Sequence, residues 1–166
     1  MGNLVFPLYA ITPCHAQVGA RLSLSVGQID DTDLDPQDMP GFQVGVFKKI
    51  ALNDYVHAIA DLNFLSQYAD LGPVTINYQS VNTGFAFRLY PTKQGFFVAG
   101  GVEGGFATRL AVDGENAKLD DKGRLGTILG IGYSVGKIDI ETRYISTINA
   151  QPFSRYLQLG VYYTIK

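Results

Sequence analysis

Four stretches carry residue types that could do chemistry. A Ser, His and acid arrangement needs an imidazole as its base, and the chain offers two histidines, His15 and His57. The run DDTDLD, residues 30–35, places Asp31, Asp33 and Asp35 on alternate positions, as a calcium loop begins. That loop would need Gly where Pro36 stands and Glu where Phe42 stands, so a solvated acidic loop fits better and no metal site is expected. GGVEGG, residues 100–105, has the glycines of a phosphate cradle but lies within a strand pattern, without the helix that would complete one. Its glycines suit close strand packing around Glu103. The fourth stretch, KIDIETRYISTI (residues 137–148), alternates Asp139, Glu141 and Arg143 with Ile138, Ile140, Thr142 and Tyr144. A strand sends successive side chains to opposite faces, so this one has a charged face and an apolar face.

Seven further segments share that alternation. QVGARLSLSVGQI sets Val18, Ala20, Leu22, Leu24 and Val26 against Arg21, Ser23 and Ser25. GFQVGVFKKIAL sets Phe42, Val44, Val46, Ile50 and Leu52 against Gln43, Gly45 and Lys49. YVHAIADLNFL opposes its apolar residues with His57, Asp61 and Asn63, and YQSVNTGFAFRLY does so with Ser80, Asn82, Gly84 and Arg88. FFVAGGVEGGFATRL carries Glu103 and Arg109 on its polar parity, and RLGTILGIGYSV carries Arg124. RYLQLGVYYTIK closes the set with Gln158, Gly160 and Thr164 opposite Leu157, Leu159, Val161, Tyr163 and Ile165. Period-two alternation over about ten residues, repeated eight times, predicts strands.

The connections predict an up-and-down meander with unlike ends. Asn53-Asp54, Pro91 to Gly95 and Gly136-Lys137 read as tight turns. Asp30 to Pro40, Ser66 to Asn77 and Ala111 to Gly123 read as longer polar loops, and a shorter connection falls near Asn149 to Phe153. Short turns at one end and long loops at the other are the pattern of bacterial transmembrane barrels. The pooled polar parities hold Arg21, Lys49, Asp61, Arg88, Glu103, Arg109, Arg124, Asp139, Glu141 and Arg143, a nearly charge-balanced set suited to a confined space. The other parity is a band of Leu, Val, Ile, Phe and Tyr, with Lys48 as the clear exception, near enough to the Asn53 turn to snorkel. Tyr55, Tyr90, Tyr133, Tyr144, Tyr156, Tyr162 and Tyr163 could supply the interfacial girdle in a chain with no Trp. The expectation is an all-β, eight-stranded antiparallel transmembrane barrel with a packed, polar interior, too narrow for a wide pore. Arg21, Asp61, Arg88, Glu103, Asp139, Glu141 and Arg143 should form an ion-pair network in its lumen. The competing arrangement is a soluble ligand-binding barrel with the apolar parity inside.

Bulk composition narrows the function. A net charge of −2 gives no sign of a nucleic-acid binder. No apolar run reaches the ~18 residues of a transmembrane helix. Residues 1–16 read as an export segment: apolar Leu4 to Ile11, then Cys14-His15-Ala16, whose small residues suit signal peptidase. Pro7 within the apolar stretch and the lack of a preceding Lys or Arg depart from that pattern. The barrel domain would then be 17–166, without the single cysteine, so no internal disulfide is expected.

The last strand resembles the C-terminal assembly signal of outer-membrane barrels, with Gln158, Gly160, Tyr163 and Ile165 at its polar, Gly and two aromatic positions. Ile165 replaces an aromatic, and Lys166 lies one residue beyond. Together with the strand count and the Arg143-Tyr144 pair, residues 17–166 resemble the small eight-stranded OmpA/OmpX-type barrels, often labelled "porin family". The resemblance implies residence in the bacterial outer membrane, insertion by the barrel-assembly machinery, contact with membrane lipid and lipopolysaccharide, and often surface interactions. It does not imply one activity. A role in adhesion or envelope integrity is the expectation, with a monomeric barrel, no cofactor, no nucleic acid, and a surface partner met through loops 30–40, 66–77 and 111–123. Some related barrels are enzymes that modify lipid A with a Ser or His constellation near the outer rim. Here His57 lies close to the short turn, at the opposite end, so enzymatic activity is not expected. A membrane barrel should require detergent and should change its gel mobility on boiling; a water-soluble monomer doing neither would contradict this reading.

Overall fold

The computed structural model describes residues 16–29, 37–70, 72, 74–93, 95–116, 123–148 and 153–165. Among the described residues there are nine strands: β1 (Ala16–Ile29), β2 (Gln37–Ala51), β3 (Val56–Asp70), β4 (Thr75–Leu89), β5 (Phe96–Val112), β6 (Glu115–Asn116), β7 (Gly123–Val135), β8 (Ile138–Thr147) and β9 (Phe153–Thr164). Each barrel strand pairs antiparallel with its neighbours in sequence, β1 pairs with β9, and β4 pairs with β5. The sheet is therefore closed, with eight staves and no free edge to hydrogen-bond with water. The two-residue β6 is an appendage on β5 beyond the barrel.

Three tight connections join strands at one end. Asn53 Oδ1 accepts from the backbone N–H groups of Tyr55 and Val56, each at 2.8 Å, so one side chain organises the first turn. Gly136 takes a φ of 59°, a left-handed value that favours glycine, in the two-residue turn before β8. The start of β1 and the finish of β9 lie at this same end, where Thr164 N donates to Lys137 O at 2.8 Å and Ile165 N to Val18 O at 2.9 Å. Lys93 and Asp54 pair across two of the turns at 3.0 Å, and that hydrogen bond and negative charge raise the Lys93 pKa.

At the other end the structure corrects the expected loops. Residues 66–77 are no long loop: β3 and β4 continue their ladder from Ser66↔Gln79 to Asp70↔Thr75, leaving residues 71–74 as the connection. Alternation continues there, with Gln67 and Ala69 inward and Tyr68 outward, so pairing persists through polar sequence. Residues 111–123 begin as strand, turn at Asp113-Gly114, where Gly114 has a φ of 82°, and return as β6. Of residues 30–40, the last four belong to β2, and 30–36 lie outside the described residues, as do Asp31, Asp33 and Asp35. Residues 1–15 also lie outside them, while Ala16 opens β1 opposite Ile50.

The side-chain faces divide as a membrane requires. Leu22, Leu24, Val46, Leu62, Phe85, Val102, Leu129, Ile131, Leu159 and their neighbours form a continuous exposed apolar belt on every stave. An exposed apolar surface of this extent is untenable in water and suits lipid. Tyr55, Tyr133, Tyr144 and Tyr163 are outward, as is Tyr68. Tyr90, Tyr156 and Tyr162 are not part of a girdle: they share the parity of Arg88 and Gln158 and are buried in the lumen. Arg109 is also corrected. Ser80 pairs with Ala107 but Gln79 with Arg109, so Thr108 forms a bulge that shifts register and sends Arg109 outward. Its Nε donates to Asn116 Oδ1 at 3.2 Å.

Leu22 sits mid-belt at 59% exposure, between Val44 and Val161. Leu22→Arg should cost about 2–4 kcal/mol in urea unfolding from vesicles, the cost of a cation facing lipid. No loss would mean that this face meets water.

Candidate functional site

The chemistry-bearing residues converge inside the barrel. Arg21 on β1, Lys49 on β2, Asp61 on β3, Arg88 on β4, Asp139, Glu141 and Arg143 on β8 all point inward and are buried. They form one chain of alternating charge. Lys49 Nζ lies 3.2 Å from Asp139 Oδ2, which also meets Arg88 Nη1 at 2.6 Å. Arg88 Nη2 reaches Glu141 Oε2 at 2.5 Å, and the other oxygen of Glu141 meets Arg143 Nε at 2.8 Å. Arg143 Nη1 continues to Asp61 Oδ2 at 2.8 Å, and Arg21 ends the series on that oxygen at 3.4 Å, its longest link. Two arginines thus use both arms of the fork to bridge successive carboxylates, a geometry a lysine cannot copy.

Neutral groups complete the packing. Arg21 Nη2 donates to Gln158 Oε1 at 2.6 Å and its Nε to Ser23 Oγ at 3.0 Å. Asn63 Nδ2 donates to Asp61 Oδ1 at 2.6 Å. The Tyr162 ring lies under the guanidiniums of Arg88 and Arg21, at 4.7 and 4.9 Å, with Arg143 at 5.4 Å. Arg88 also stacks on Phe97 at 4.3 Å. Delocalised, weakly hydrated guanidiniums favour such ring faces. Glycine makes the room: a Cβ on Gly84 would stand 2.6 Å from Asp61 Oδ1, and one on Gly130 2.9 Å from Glu141 Oε1.

Glu103 does not join that chain. It pairs with Arg124 of β7 at 2.6 Å, and Arg124 lies over Tyr156 at 4.2 Å, toward the loop end. The interior is not polar throughout either. Met39, Leu65, Ala69, Tyr78, Ile128, Ile145 and Tyr156 form an apolar layer toward the loops. Phe47, Ile59 and Tyr162, with Tyr90, Phe97 and Ala99, form smaller clusters toward the turns. Lys49 and Arg124 stand on the polar parity of their strands, yet the partner of Lys49 lies across the lumen on β8 and that of Arg124 on the neighbouring stave β5, which spacing along one strand does not reveal. Inward Phe47, Ile59, Phe97 and Tyr162 are a second feature that an apolar-versus-polar division overlooks. His57 is at the turn end, its ring 4.6 Å from that of Tyr90. Among the described residues no group of His, Cys, Asp and Glu is arranged to hold a metal.

In the last strand, Gln158 and Gly160 are inward and buried, while Tyr163 and Ile165 face outward. The first pair therefore belongs to the lumen packing and the second to the lipid face.

Solved structures of outer-membrane barrels share this fold. Neisserial surface protein A matches with a TM-score of 0.64 and 15% identity, over 91% of this chain and 99% of that one. Ail, the attachment invasion locus protein of Yersinia pestis, in complex with the heparin analogue sucrose octasulfate, matches with a TM-score of 0.60 and 12% identity, over 93% and 100%. The outer membrane enzyme PagL matches with a TM-score of 0.51 and 15% identity, over 88% and 99%. No protein-family model matches the sequence, and comparison with curated proteins gives no match. Fold, apolar belt and charged lumen together define a small eight-stranded barrel of the bacterial outer-membrane type.

Removing one member of the chain leaves each neighbour one buried ion pair short. Glu141→Ala leaves Arg88 and Arg143 each short of a carboxylate and should cost about 3–5 kcal/mol. Thr142→Ala, one residue away on the outer face, should cost far less when unfolded by urea from the same vesicles. Equal losses would place Glu141 outside the lumen network.

Proposed function

We propose that this chain is a monomeric, non-catalytic outer-membrane barrel that anchors a surface-exposed end for envelope integrity or adhesion. The observation that carries the reading is the filled lumen. A chain of seven alternating charges crosses it, and apolar layers pack on either side. Conduction of large solutes would require that packing to be dismantled. The second support is at the loop end, where β3, β4 and β5 run on to Asp70, Thr75 and Val112 and β6 extends the sheet. Asp113 Oδ1 accepts from Thr75 N at 2.8 Å, so the two hairpins brace each other and present a stiffened ledge.

Lipid meets the belt, lipopolysaccharide meets the outward charges of the loop end, and residues 30–40 and 111–123 offer the contact surface. The trimmed 66–77 hairpin contributes Tyr68 and Asp70. Tyr163 and Ile165 face lipid on the closing strand, where the barrel-assembly machinery would read them. His57 stands at the end opposite that ledge, which favours a non-catalytic role over lipid A modification.

Two measurements test this reading. The folded chain in planar bilayers should give no large, steady channels; stable nanosiemens openings would contradict a plugged anchor. In a strain lacking the protein, a barrel without residues 113–122 should insert normally yet fail to restore surface attachment or detergent resistance. Full restoration of both would remove the ledge from the function.

A further inference from the structure

Lys48 is an exposed strand cation that the lumen does not use. On β2 it follows outward Val46 and precedes inward Lys49, so its parity is that of the lipid belt. The other outward charges on barrel strands, Asp38, Asp70, Arg109 and Arg155, lie toward the loop end, opposite or beside Gln28, Thr75, Gln79 and Ser146. Among the described residues, Lys48 is the one outward charge on the turn-side half of the staves. It pairs with Val18 and Ala60 across its two ladders, and Val18 accepts the backbone bond of Ile165. Tyr163, two residues from Ile165 on the same outer face, lies one row deeper. Lys48 is therefore level with Ile165 and just outside an interfacial tyrosine. That depth is where lipid headgroups lie.

An open groove starts beside it. Val18, Val46, Lys48, Ala60, Leu62 and Ile165 line the groove, together with Asp61, whose carboxylate turns inward to Arg143 and Arg21 and so leaves the ammonium as the groove's outward charge. Among the described residues Lys48 forms no ion pair, although every other strand lysine or arginine on the turn-side half is inward and bound to a carboxylate. A second outer groove on the barrel, over Gly100 and between Val98, Leu129, Ile131 and Leu157, has no charged residue along it. These two apolar grooves are of similar kind, and one of them is tipped with a cation.

We propose that the Lys48 groove is a binding site for an anionic glycerophospholipid of the turn-side leaflet, phosphatidylglycerol in class. The ammonium pairs with the phosphate region and an acyl chain lies along Val46 and Leu62 over Ala60. Charge complementarity selects this occupant. A neutral or zwitterionic lipid fills the apolar groove equally well but leaves the ammonium sharing its phosphate with a competing headgroup cation. A cation near an anionic lipid surface favours it by roughly five-fold in affinity.

The inference rests on the membrane reading, and the absence of Trp from the sequence lets both be tested in one format. Leu62→Trp places a reporter in the cationic groove and Leu129→Trp one in the uncharged groove. Each folded barrel is placed in phosphatidylcholine vesicles containing brominated phosphatidylglycerol or brominated phosphatidylcholine, and quenching gives the relative affinity of the two lipids. Quenching at position 129 by both lipids alike reports the belt in the bilayer; no quenching there would overturn the membrane reading itself. At position 62 phosphatidylglycerol should be preferred about five-fold. Adding Lys48→Gln should bring that ratio to about one, and Lys48→Arg should retain it. Should Leu62→Trp fail to fold, Val46→Trp reports from the opposite wall. Equal quenching by the two lipids at the cationic groove, a preference that survives Lys48→Gln, or the same preference at position 129 would each overturn the proposal.

Discussion

Arg88 shows the constraint on which the barrel depends. A guanidinium withdrawn from water needs its hydration replaced, and Arg88 has Asp139 and Glu141 on its two arms and the Phe97 and Tyr162 rings at its faces. Each carboxylate is shared with a further cation, so the requirement passes along the lumen to Lys49 at one end and Arg21 at the other. Those seven residues come from five staves. The charge chain therefore ties β1, β2, β3, β4 and β8 across the interior, where ladder hydrogen bonds do not reach. In lipid the outer face contributes no hydrophobic drive toward the centre, which leaves interior packing and pairing to fix the barrel's cross-section.

Glycine and aromatic residues serve that interior. Gly84 and Gly130 clear space for Asp61 and Glu141, while Tyr162 and Phe97 return bulk where guanidiniums need a ring. The lumen is layered: apolar side chains toward the loops, the ion chain at mid-height, and aromatic clusters toward the turns. This layering gives the barrel a plug made of its own staves, and it leaves the loop-end hairpins as the part of the molecule free to meet other surfaces.

The alternation that revealed the fold also limited what it could reveal. Asp139, Glu141 and Arg143 could be assigned to one face because parity along a strand is a local property. Partner choice is not local: Glu103 pairs with Arg124 rather than with the main chain of charges because barrel stagger sets which rows meet. Arg109 escaped for a similar reason, since a single unpaired residue at Thr108 reverses parity without leaving a mark in composition. Residues 66–77 looked like a loop because they are polar, yet above the lipid a strand has no need of an apolar face. Tyr suits both an interface and a cation-lined interior, so residue type alone does not separate the inward tyrosines from the outward ones. Lys48 was visible as an exception to its face, but its groove required three staves and the position of Ile165.

The most direct test of the interlocked lumen is a double-mutant cycle on Arg88 and Glu141, with urea unfolding of Arg88→Ala, Glu141→Ala and the double variant from one vesicle preparation. Because each single change already removes the ion pair that joins the two, leaving Arg88 with Asp139 alone or Glu141 with Arg143 alone, the double variant should be less destabilised than the sum of the two by at least about 1 kcal/mol. Additivity to within about 0.5 kcal/mol would show that the two residues do not act as a pair and would contradict the account.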